Sequence, residues 1–282
     1  MMAFREHSFG IIGLGQIGGS IAAALKNCNP EIFIVAADLN EQLCTAARER
    51  GLIDVIAVDG EDVIDRADIV IIALPVMQIA EVLRKYRDTL REKALVIDTG
   101  SLKAEVMAMA QKCELANFVG VHPLAGTELR GAESWNGNLF RGKRFFTAAK
   151  EQSSEAAVKL ASELIAELGA EEIKIDPHEH DRIFAVSSNL PHLFAYVLKS
   201  QFERQAEDEV QIELFSCPSY RGATRVAGSD KEMVFQMLWG NRTYLGASLA
   251  QLRGDLERAQ KALDTGDEME FRRIIGTKPA GQ

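Results

Sequence analysis

The segment GLGQIG, residues 13–18, constrains the fold of this chain more than any other stretch. It overlaps the end of the apolar run FGIIGL and opens the helix-forming run IGGSIAAALKN. Gly13, Gly15 and Gly18 have the GxGxxG spacing, which permits a tight turn, the close approach of a pyrophosphate and close packing of a helix on a strand. Because the motif lies between a strand and a helix, it predicts a Rossmann-type dinucleotide-binding unit.

The end of the second apolar run indicates which dinucleotide is bound. EIFIVAAD ends in Asp38, where a carboxylate accepts hydrogen bonds from ribose hydroxyls and repels a 2′-phosphate. Leu39 and Asn40 follow rather than an arginine, so the sequence favours NAD over NADP. A glycine-rich turn in an α/β protein that binds no dinucleotide is the alternative. The residues expected to contact NAD are Gly13, Gly15, Gln16, Ile17, Gly18, Asp38, Leu74 and Pro75.

The order of strand and helix patterns divides the chain into two parts. Apolar runs alternate with helical patterns as far as EEIKID, which is typical of a parallel sheet covered on both faces. After Asp176 the strand patterns disappear, and Asp176, Pro177 and Glu179 have the spacing of a capped helix start. We therefore predict a doubly wound α/β domain over residues 1–175 and an all-helical domain over residues 176–282, which forms a homodimer.

Composition excludes several classes of function. The net charge of −9 disfavours a nucleic-acid partner, although a local arginine can still bind a small anion. The sequence has neither a secretory signal pattern nor an apolar run long enough to cross a membrane. The cysteines form no CxxC pair, so we expect a reduced cytoplasmic protein without a zinc or iron–sulfur site. They are Cys28, Cys44, Cys113 and Cys217.

Two motifs follow predicted strands at the edge where ligands bind in doubly wound sheets. They are DTGS, residues 98–101, and HPLAGTE, residues 122–128. A neutral histidine suits proton acceptance near neutral pH, so His122 is a candidate base. A packed structural histidine is the alternative.

The other histidines receive different interpretations. His178 and His180 are two residues apart in a helix and share no face, and we expect both to be solvated. His192 follows Pro191, which lacks a backbone N–H, so the helix there is expected to kink. A satisfied core histidine is the alternative for His192.

Two arginines in SYRGATR provide candidate anion ligands. Arg221 and Arg225 are four residues apart and share a face if the segment is helical. Either could bind a carboxylate bidentately. Two surface arginines without a ligand are the alternative.

Together these motifs resemble one family, the prephenate and arogenate dehydrogenases of tyrosine biosynthesis. The resemblance covers most of the chain and consists of GLGQIGGS, ALP, DTGSLK, HPLAGTELRG, DPHEHDRIFAVSSNLPH and SYRGATRVAGSD, in that order. It implies NAD-dependent oxidative decarboxylation of an anionic cyclohexadienol. The C4 carbon loses hydride, the ring carboxylate leaves as carbon dioxide, and the ring becomes aromatic.

The resemblance also implies roles for individual residues. His122 matches the base, and Ser101 would hydrogen-bond the same substrate hydroxyl and steady His122. Arg225 matches the ligand of the ring carboxylate, His192 the histidine near the substrate side chain, and Arg221 a second cation. Polar positions that bind, tune or gate are implied at Thr127, Glu128 and Asp181.

The expected reaction is conversion of prephenate to 4-hydroxyphenylpyruvate, with arogenate to tyrosine, or both reactions, as the alternative. Val234 stands where many relatives have tryptophan, and Asn189 where histidine is more usual, so the substrate side chain stays open. A β-hydroxyacid dehydrogenase, a nucleotide sensor and an enzyme for a modified cyclohexadienol are the competing hypotheses. We expect no fused regulatory module. We also expect the apolar segments EMVFQMLW and TYLGASLAQL to form the dimer contact.

Overall fold

The computed structural model describes residues 6–126, 129–149, 153–205 and 209–277. These residues form two compact units. The first comprises the described residues up to Asp181 together with Gly228–Gly240. The second comprises Arg182–Ala227 and the described residues from Asn241 onward.

The first unit contains one eight-stranded sheet. The strands are β1 (Phe9–Ile12), β2 (Ile34–Ala37), β3 (Val55–Ile56), β4 (Ile69–Ile72), β5 (Leu95–Asp98), β6 (Phe118–Pro123), β7 (Arg144–Ala148) and β8 (Glu171–Lys174). Their order in the sheet is β3-β2-β1-β4-β5-β6-β7-β8. The strand pairs are parallel apart from β6 with β7, so the predicted doubly wound sheet is confirmed.

Alternation of side chains explains why the central strands read as continuous apolar runs. Neighbouring residues in a strand point to opposite faces of the sheet. Ile11 packs in one buried cluster and Ile12 in the other, and Ile71 and Ile72 are divided in the same way. Because helices cover both faces, β1, β2, β4 and β5 are buried along their whole lengths.

The antiparallel pairing of β6 with β7 differs from the expected all-parallel sheet. A parallel connection needs a crossover element on one face of the sheet. Between these strands the described residues contain a short 3-10 turn, Gly131–Ser134, and no longer helix. The chain therefore reverses direction, and His122 of β6 pairs with Phe146 of β7.

Helices connect the strands, and their ends follow local capping rules. Asn40 caps the second helix by accepting from the Gln42 N–H, and Ser154 caps the seventh by accepting from Ala157. The helical segment that follows β4 consists of two helices that meet at Tyr86. The helices are α1 (Gln16–Cys28), α2 (Glu41–Glu49), α3 (Gly60–Asp65), α4 (Val76–Lys85), α5 (Arg87–Arg91), α6 (Ala104–Lys112) and α7 (Glu155–Glu167).

Beyond β8 the described residues are helical, which confirms the predicted helical part. Asp176 accepts hydrogen bonds from the N–H groups of His178 and Glu179, as its capping position predicts. The helices are α8 (Pro177–Phe184), α9 (Leu190–Gln205), α10 (Glu209–Phe215), α11 (Pro218–Thr224), α12 (Lys231–Gly240), α13 (Arg242–Thr265) and α14 (Glu268–Ile274). Of these, α12 belongs to the first compact unit.

Pro191 interrupts the regular helix in the way that its missing N–H requires. A π-helical turn, Ala185–Asn189, separates α8 from α9, and the Leu190 N–H donates to the Ala185 carbonyl. A single π-helical turn within an α-helix is one of the common causes of a helix kink. Among the described helices, none combines the length and apolar character needed to cross a bilayer.

Candidate functional site

The predicted glycine turn follows β1 and opens α1. Gly13 has a φ of +98°, and a Cβ there would lie 2.4 Å from the Ala73 carbonyl oxygen. A Cβ on Gly18 would lie 2.0 Å from the Gly13 carbonyl oxygen. Glycine is therefore required at both positions. Gly15 is the N-cap of α1, and no side chain there caps the helix. The first backbone N–H groups of α1, from Gln16 onward, have no partner within the helix and are available to an anion.

Asp38 is held beside this turn by two backbone donors. Its Oδ2 accepts from the Leu14 N–H at 2.7 Å, and its Oδ1 accepts from the Asn40 N–H at 2.8 Å. Each carboxylate oxygen has two lone-pair directions, so both retain acceptor capacity for ribose hydroxyls. The position and the orientation of Asp38 fit the predicted role.

The loop after β4 packs against the glycine turn. Leu74 is half-buried, and its Cδ2 would lie 3.0 Å from a Cβ on Gly13. Pro75 is exposed and caps α4. Ile17, in the first turn of α1, packs against the buried cluster on one face of the sheet.

Trp135, which belongs to none of the sequence motifs, binds the glycine turn from outside. Its Nε1 donates to the carbonyl oxygens of Leu14 at 3.0 Å and Gly15 at 3.2 Å. The indole occupies the space that a Cβ on Gly19 would need, and the Arg50 guanidinium lies 5.4 Å from the ring centroid. No spacing rule predicts such a contact, because it joins residues more than a hundred positions apart.

A buried ion pair joins the ends of β5 and β6. The Lys103 ammonium donates to Asp98 Oδ2 and, at 2.9 Å, to the Val121 carbonyl oxygen. Asp98 also accepts from the Gly100 N–H at 2.8 Å and from the Val121 N–H at 3.2 Å. Both side chains are fully buried. Burial raises the pKa of Asp98 and lowers that of Lys103, and their mutual attraction opposes both shifts.

His122 lies at the carboxyl-terminal end of β6, one residue beyond Val121. It is half-buried, and its Nδ1 is 2.9 Å from Nε2 of His180. Burial, then the repulsion that two positive charges on the His122–His180 pair would create, and the nearby Lys103 ammonium hold the pKa of His122 well below its usual value. The imidazole is therefore neutral near pH 7 and can accept a proton.

His180 is buried, so its expected solvation was wrong. Its ring lies between His122 and Phe146, whose centroids are 5.1 Å and 5.8 Å away. His178 is exposed, as predicted, and so the two histidines of α8 do face different directions. What the local pattern could not decide was which of the two histidines faces the sheet, because that depends on how α8 packs.

Asp181 connects this histidine pair to a helix end. Its Oδ1 lies 2.7 Å from His180 Nδ1 and accepts from the Lys103 N–H at 2.8 Å. Its Oδ2 accepts from the Ala104 N–H at 2.9 Å. The carboxylate thus caps α6, where the positive end of the helix dipole stabilises a negative charge. Ser101 is half-buried in the bend that precedes this cap.

The other predicted residues lie elsewhere in the chain. In the second unit, His192 donates from Nδ1 to the Ser188 carbonyl oxygen at 2.9 Å, since a carbonyl can only accept. Arg221 and Arg225 are exposed and one helical turn apart, because α11 continues into a 3-10 turn at Arg225. Thr127 and Glu128 lie outside the described residues.

The two departures from the family pattern are both buried. Asn189 accepts from the Asn241 Nδ2 at 2.6 Å within the second unit. Val234 is buried in α12, in the first unit. Within the described part of the chain, no group of three or more histidine, cysteine, aspartate or glutamate side chains could hold a metal ion.

Comparison with known families decides the lineage of this site. Residues 21–174 match the family model "Prephenate dehydrogenase, nucleotide-binding domain", and residues 176–277 match "Prephenate dehydrogenase, dimerization domain". The chain belongs to the prephenate dehydrogenase family. The match to the nucleotide-binding domain begins within α1, directly after the glycine turn, and the carboxyl-terminal helices lie in the match to the dimerization domain.

Three relatives illustrate the range of similarity. Cyclohexadienyl dehydrogenase of Zymomonas mobilis is 30% identical over 91% of this chain and 88% of its own length. Prephenate dehydrogenase of Lactococcus lactis is 32% identical over 82% of this chain, which spans 64% of that longer protein. The crystal structure of A. aeolicus prephenate dehydrogenase with hydroxyphenyl propionate and NAD+ has a TM-score of 0.88 and 26% identity, and the match covers 95% of this chain and 94% of that one.

Replacing Lys103 with methionine is expected to lower the free energy of unfolding by about 3–5 kcal/mol, because Asp98 loses its buried counter-charge. Urea unfolding followed by tryptophan fluorescence measures this, since Trp135 and Trp239 both lie in the first unit. Lys112→Met, at an exposed lysine of α6, is the matched control and should change stability by less than about 0.5 kcal/mol. Equal stability of the two variants would contradict the prediction.

Trp135→Phe is expected to weaken NADH binding roughly three- to tenfold, because it removes the Nε1–H donor and keeps the ring packed against Gly19. Peptide planarity links the Leu14 and Gly15 carbonyls to the next two N–H groups of the turn. Isothermal titration calorimetry measures the affinity. Trp239→Phe, at an exposed tryptophan, should leave it unchanged, and equal affinities in the two variants would argue against this role.

Proposed function

We propose that this chain is an NAD-dependent prephenate dehydrogenase, which converts prephenate to 4-hydroxyphenylpyruvate in tyrosine biosynthesis. The observation that carries the proposal is a neutral histidine, His122, with a lowered pKa, on the sheet that also bears the glycine turn. Arogenate is the second candidate substrate, since a relative 30% identical to this chain is named a cyclohexadienyl dehydrogenase.

The glycine turn supports NAD as the cofactor. A Cβ on Gly15 would meet nothing within 4 Å, so this side of the turn is open to a pyrophosphate. The N–H groups at the start of α1 suit its negative charge, and Asp38 would accept hydrogen bonds from a ribose. Bound NAD would supply the hydride acceptor.

His122 would act on the C4 hydroxyl of the substrate. It accepts the hydroxyl proton while C4 loses hydride, and it returns the proton to the phenolic oxygen once the ring is aromatic. The electrons of the bond to the departing carboxylate complete the aromatic ring. Ser101 is proposed to hydrogen-bond the same hydroxyl, which would keep the oxygen within reach of His122.

The remaining substrate contacts are proposals from the family motifs. Arg225 would bind the ring carboxylate, with Arg221 as a second cation and His192 near the side chain. Thr127 and Glu128 would add polar contacts. Because the ring carboxylate has to leave, Arg225 must orient it without trapping it.

Two further parts of the proposal concern organisation. The chain forms a homodimer through its helical domain, residues 176–282, with residues 1–175 as the NAD-binding domain. The match to a dimerization domain supports this, as do exposed apolar side chains of the second unit. These include Phe194, Val197, Leu249, Leu256 and Leu263. The cytoplasmic location stays a prediction from composition.

One assay tests the proposed reaction. Purified protein with NAD is given prephenate or arogenate in separate reactions, and NADH absorbance is recorded. Turnover of either substrate supports an oxidative decarboxylation, and the ratio of the two kcat/KM values identifies the preferred substrate. Absence of NADH with both substrates, in protein that binds NADH, would overturn the proposal in favour of a nucleotide sensor or a different cyclohexadienol.

His122→Asn is expected to lower kcat by on the order of 10²–10⁴-fold, because the amide cannot accept the hydroxyl proton. The affinity for NADH should change little, since the nucleotide contacts lie at the glycine turn. Steady-state kinetics and calorimetry measure the two quantities. Unchanged turnover would remove His122 from the mechanism.

Arg225→Ala is expected to raise the KM for prephenate roughly ten- to hundredfold, because a charged hydrogen bond to the carboxylate is lost. Arg253→Ala removes another exposed arginine of the second unit and serves as the matched control. Initial-rate kinetics of both variants provide the comparison. A KM that stays at the wild-type value in Arg225→Ala would contradict the assignment.

A further inference from the structure

The contacts of Asp181 determine where the protons lie on His180. Both Asp181 oxygens accept backbone N–H groups, from Lys103 at 2.8 Å and Ala104 at 2.9 Å. These donors at the start of α6 stabilise the ionised carboxylate, which acts only as an acceptor. His180 Nδ1, 2.7 Å from Oδ1, must therefore carry a hydrogen.

The proton on His180 Nδ1 then determines the next hydrogen bond. A neutral imidazole carries one ring proton, so His180 Nε2 is an acceptor. The atom 2.9 Å from it is Nδ1 of His122, which must donate. The lone pair of His122 consequently lies on Nε2, the nitrogen on the far side of the ring.

A protonated His180 would reverse this arrangement. Its side chain is fully buried, and an imidazolium there would have to be stabilised without water. Asp181 already receives two backbone donors and the helix dipole, while the buried Lys103 ammonium already provides a cation in this region. An imidazolium would also donate to His122 Nδ1 and place the remaining ring proton of His122 on Nε2.

We propose that His180 is a positioning residue that fixes His122 as the Nδ1–H tautomer, with Asp181 as its anchor, and this rests on the base role proposed above. Free histidine in water prefers the opposite tautomer, in which Nε2 carries the hydrogen and cannot accept a proton. His180 therefore keeps Nε2 of His122 basic in every turnover. It acts through His122 and not on the substrate.

Nitrogen-15 NMR of the full-length protein tests the tautomer directly. Long-range proton–nitrogen spectra near neutral pH distinguish protonated from unprotonated ring nitrogens, and the His122 signals are those lost in His122→Asn. We expect a protonated Nδ1 and an unprotonated Nε2 for His122, and a protonated Nδ1 for His180. A His122 ring with the proton on Nε2, or an average of both tautomers, would overturn the proposal.

Two substitutions at position 180 separate tautomer control from simple packing. In His180→Asn the amide nitrogen lies near the position of Nδ1. This variant therefore keeps the hydrogen bond to Asp181 and loses the hydrogen bond to His122. The amide oxygen of His180→Gln can reach the place of Nε2 and accept from His122. We expect His180→Gln to keep kcat within about tenfold of wild type, and His180→Asn to lose on the order of 10–10²-fold in kcat, with KM little changed.

The readouts separate the possible failures. Averaged His122 tautomers in His180→Asn, together with the retained tautomer in His180→Gln, support the positioning role. Equal kcat losses and equal falls in Tm for both variants, with the His122 tautomer unchanged, would reduce His180 to a packing residue and overturn the proposal. If the wild type reduces no NAD with either substrate, the proposed function fails, whereas the NMR result still decides what His180 does to His122.

Discussion

The buried pair of Lys103 and Asp98 is the interaction on which the candidate site depends. Two charges removed from water are tolerated only when their remaining hydrogen-bonding groups are satisfied. Here the Val121 carbonyl and the N–H groups of Gly100 and Val121 complete the pair. It therefore holds the end of β5, the end of β6 and the start of α6 in one arrangement, and His122 is the next residue along β6.

The same pair contributes to the electrostatics of the base. An ammonium buried close to His122 disfavours a second positive charge, and burial of the imidazole acts in the same direction. Asp181 does not reverse this effect, because its carboxylate is directed at the α6 N-terminus and His180 lies between it and His122. The neutral state of His122 therefore depends on its burial and on the charges packed around it, and the sequence of β6 alone does not determine it.

The nucleotide turn is held by steric exclusion and by a contact from far along the chain. Gly13 and Gly18 leave no room for a Cβ, and the Trp135 indole fills the space over Gly19. Trp135 belongs to the connection between β6 and β7, the strands that carry and flank His122. The segment from β6 to β7 therefore contributes both to the surroundings of His122 and to the support of the glycine turn.

The sequence by itself determined the features that depend on neighbouring residues. These are the glycine turn, the Asp38 carboxylate, the capped start of α8, the broken helix before Pro191 and the strand that leads to His122. Each follows from backbone sterics or periodicity over a few positions, and the motif order was enough to indicate the family. Tertiary structure alone decided that β7 runs antiparallel to β6, that Trp135 covers the glycine turn, and that His180 is buried against His122 while His178 faces solvent. Those outcomes depend on which distant surfaces pack together, and burial of a polar group is set by the partners that packing brings to it rather than by its own position in the chain.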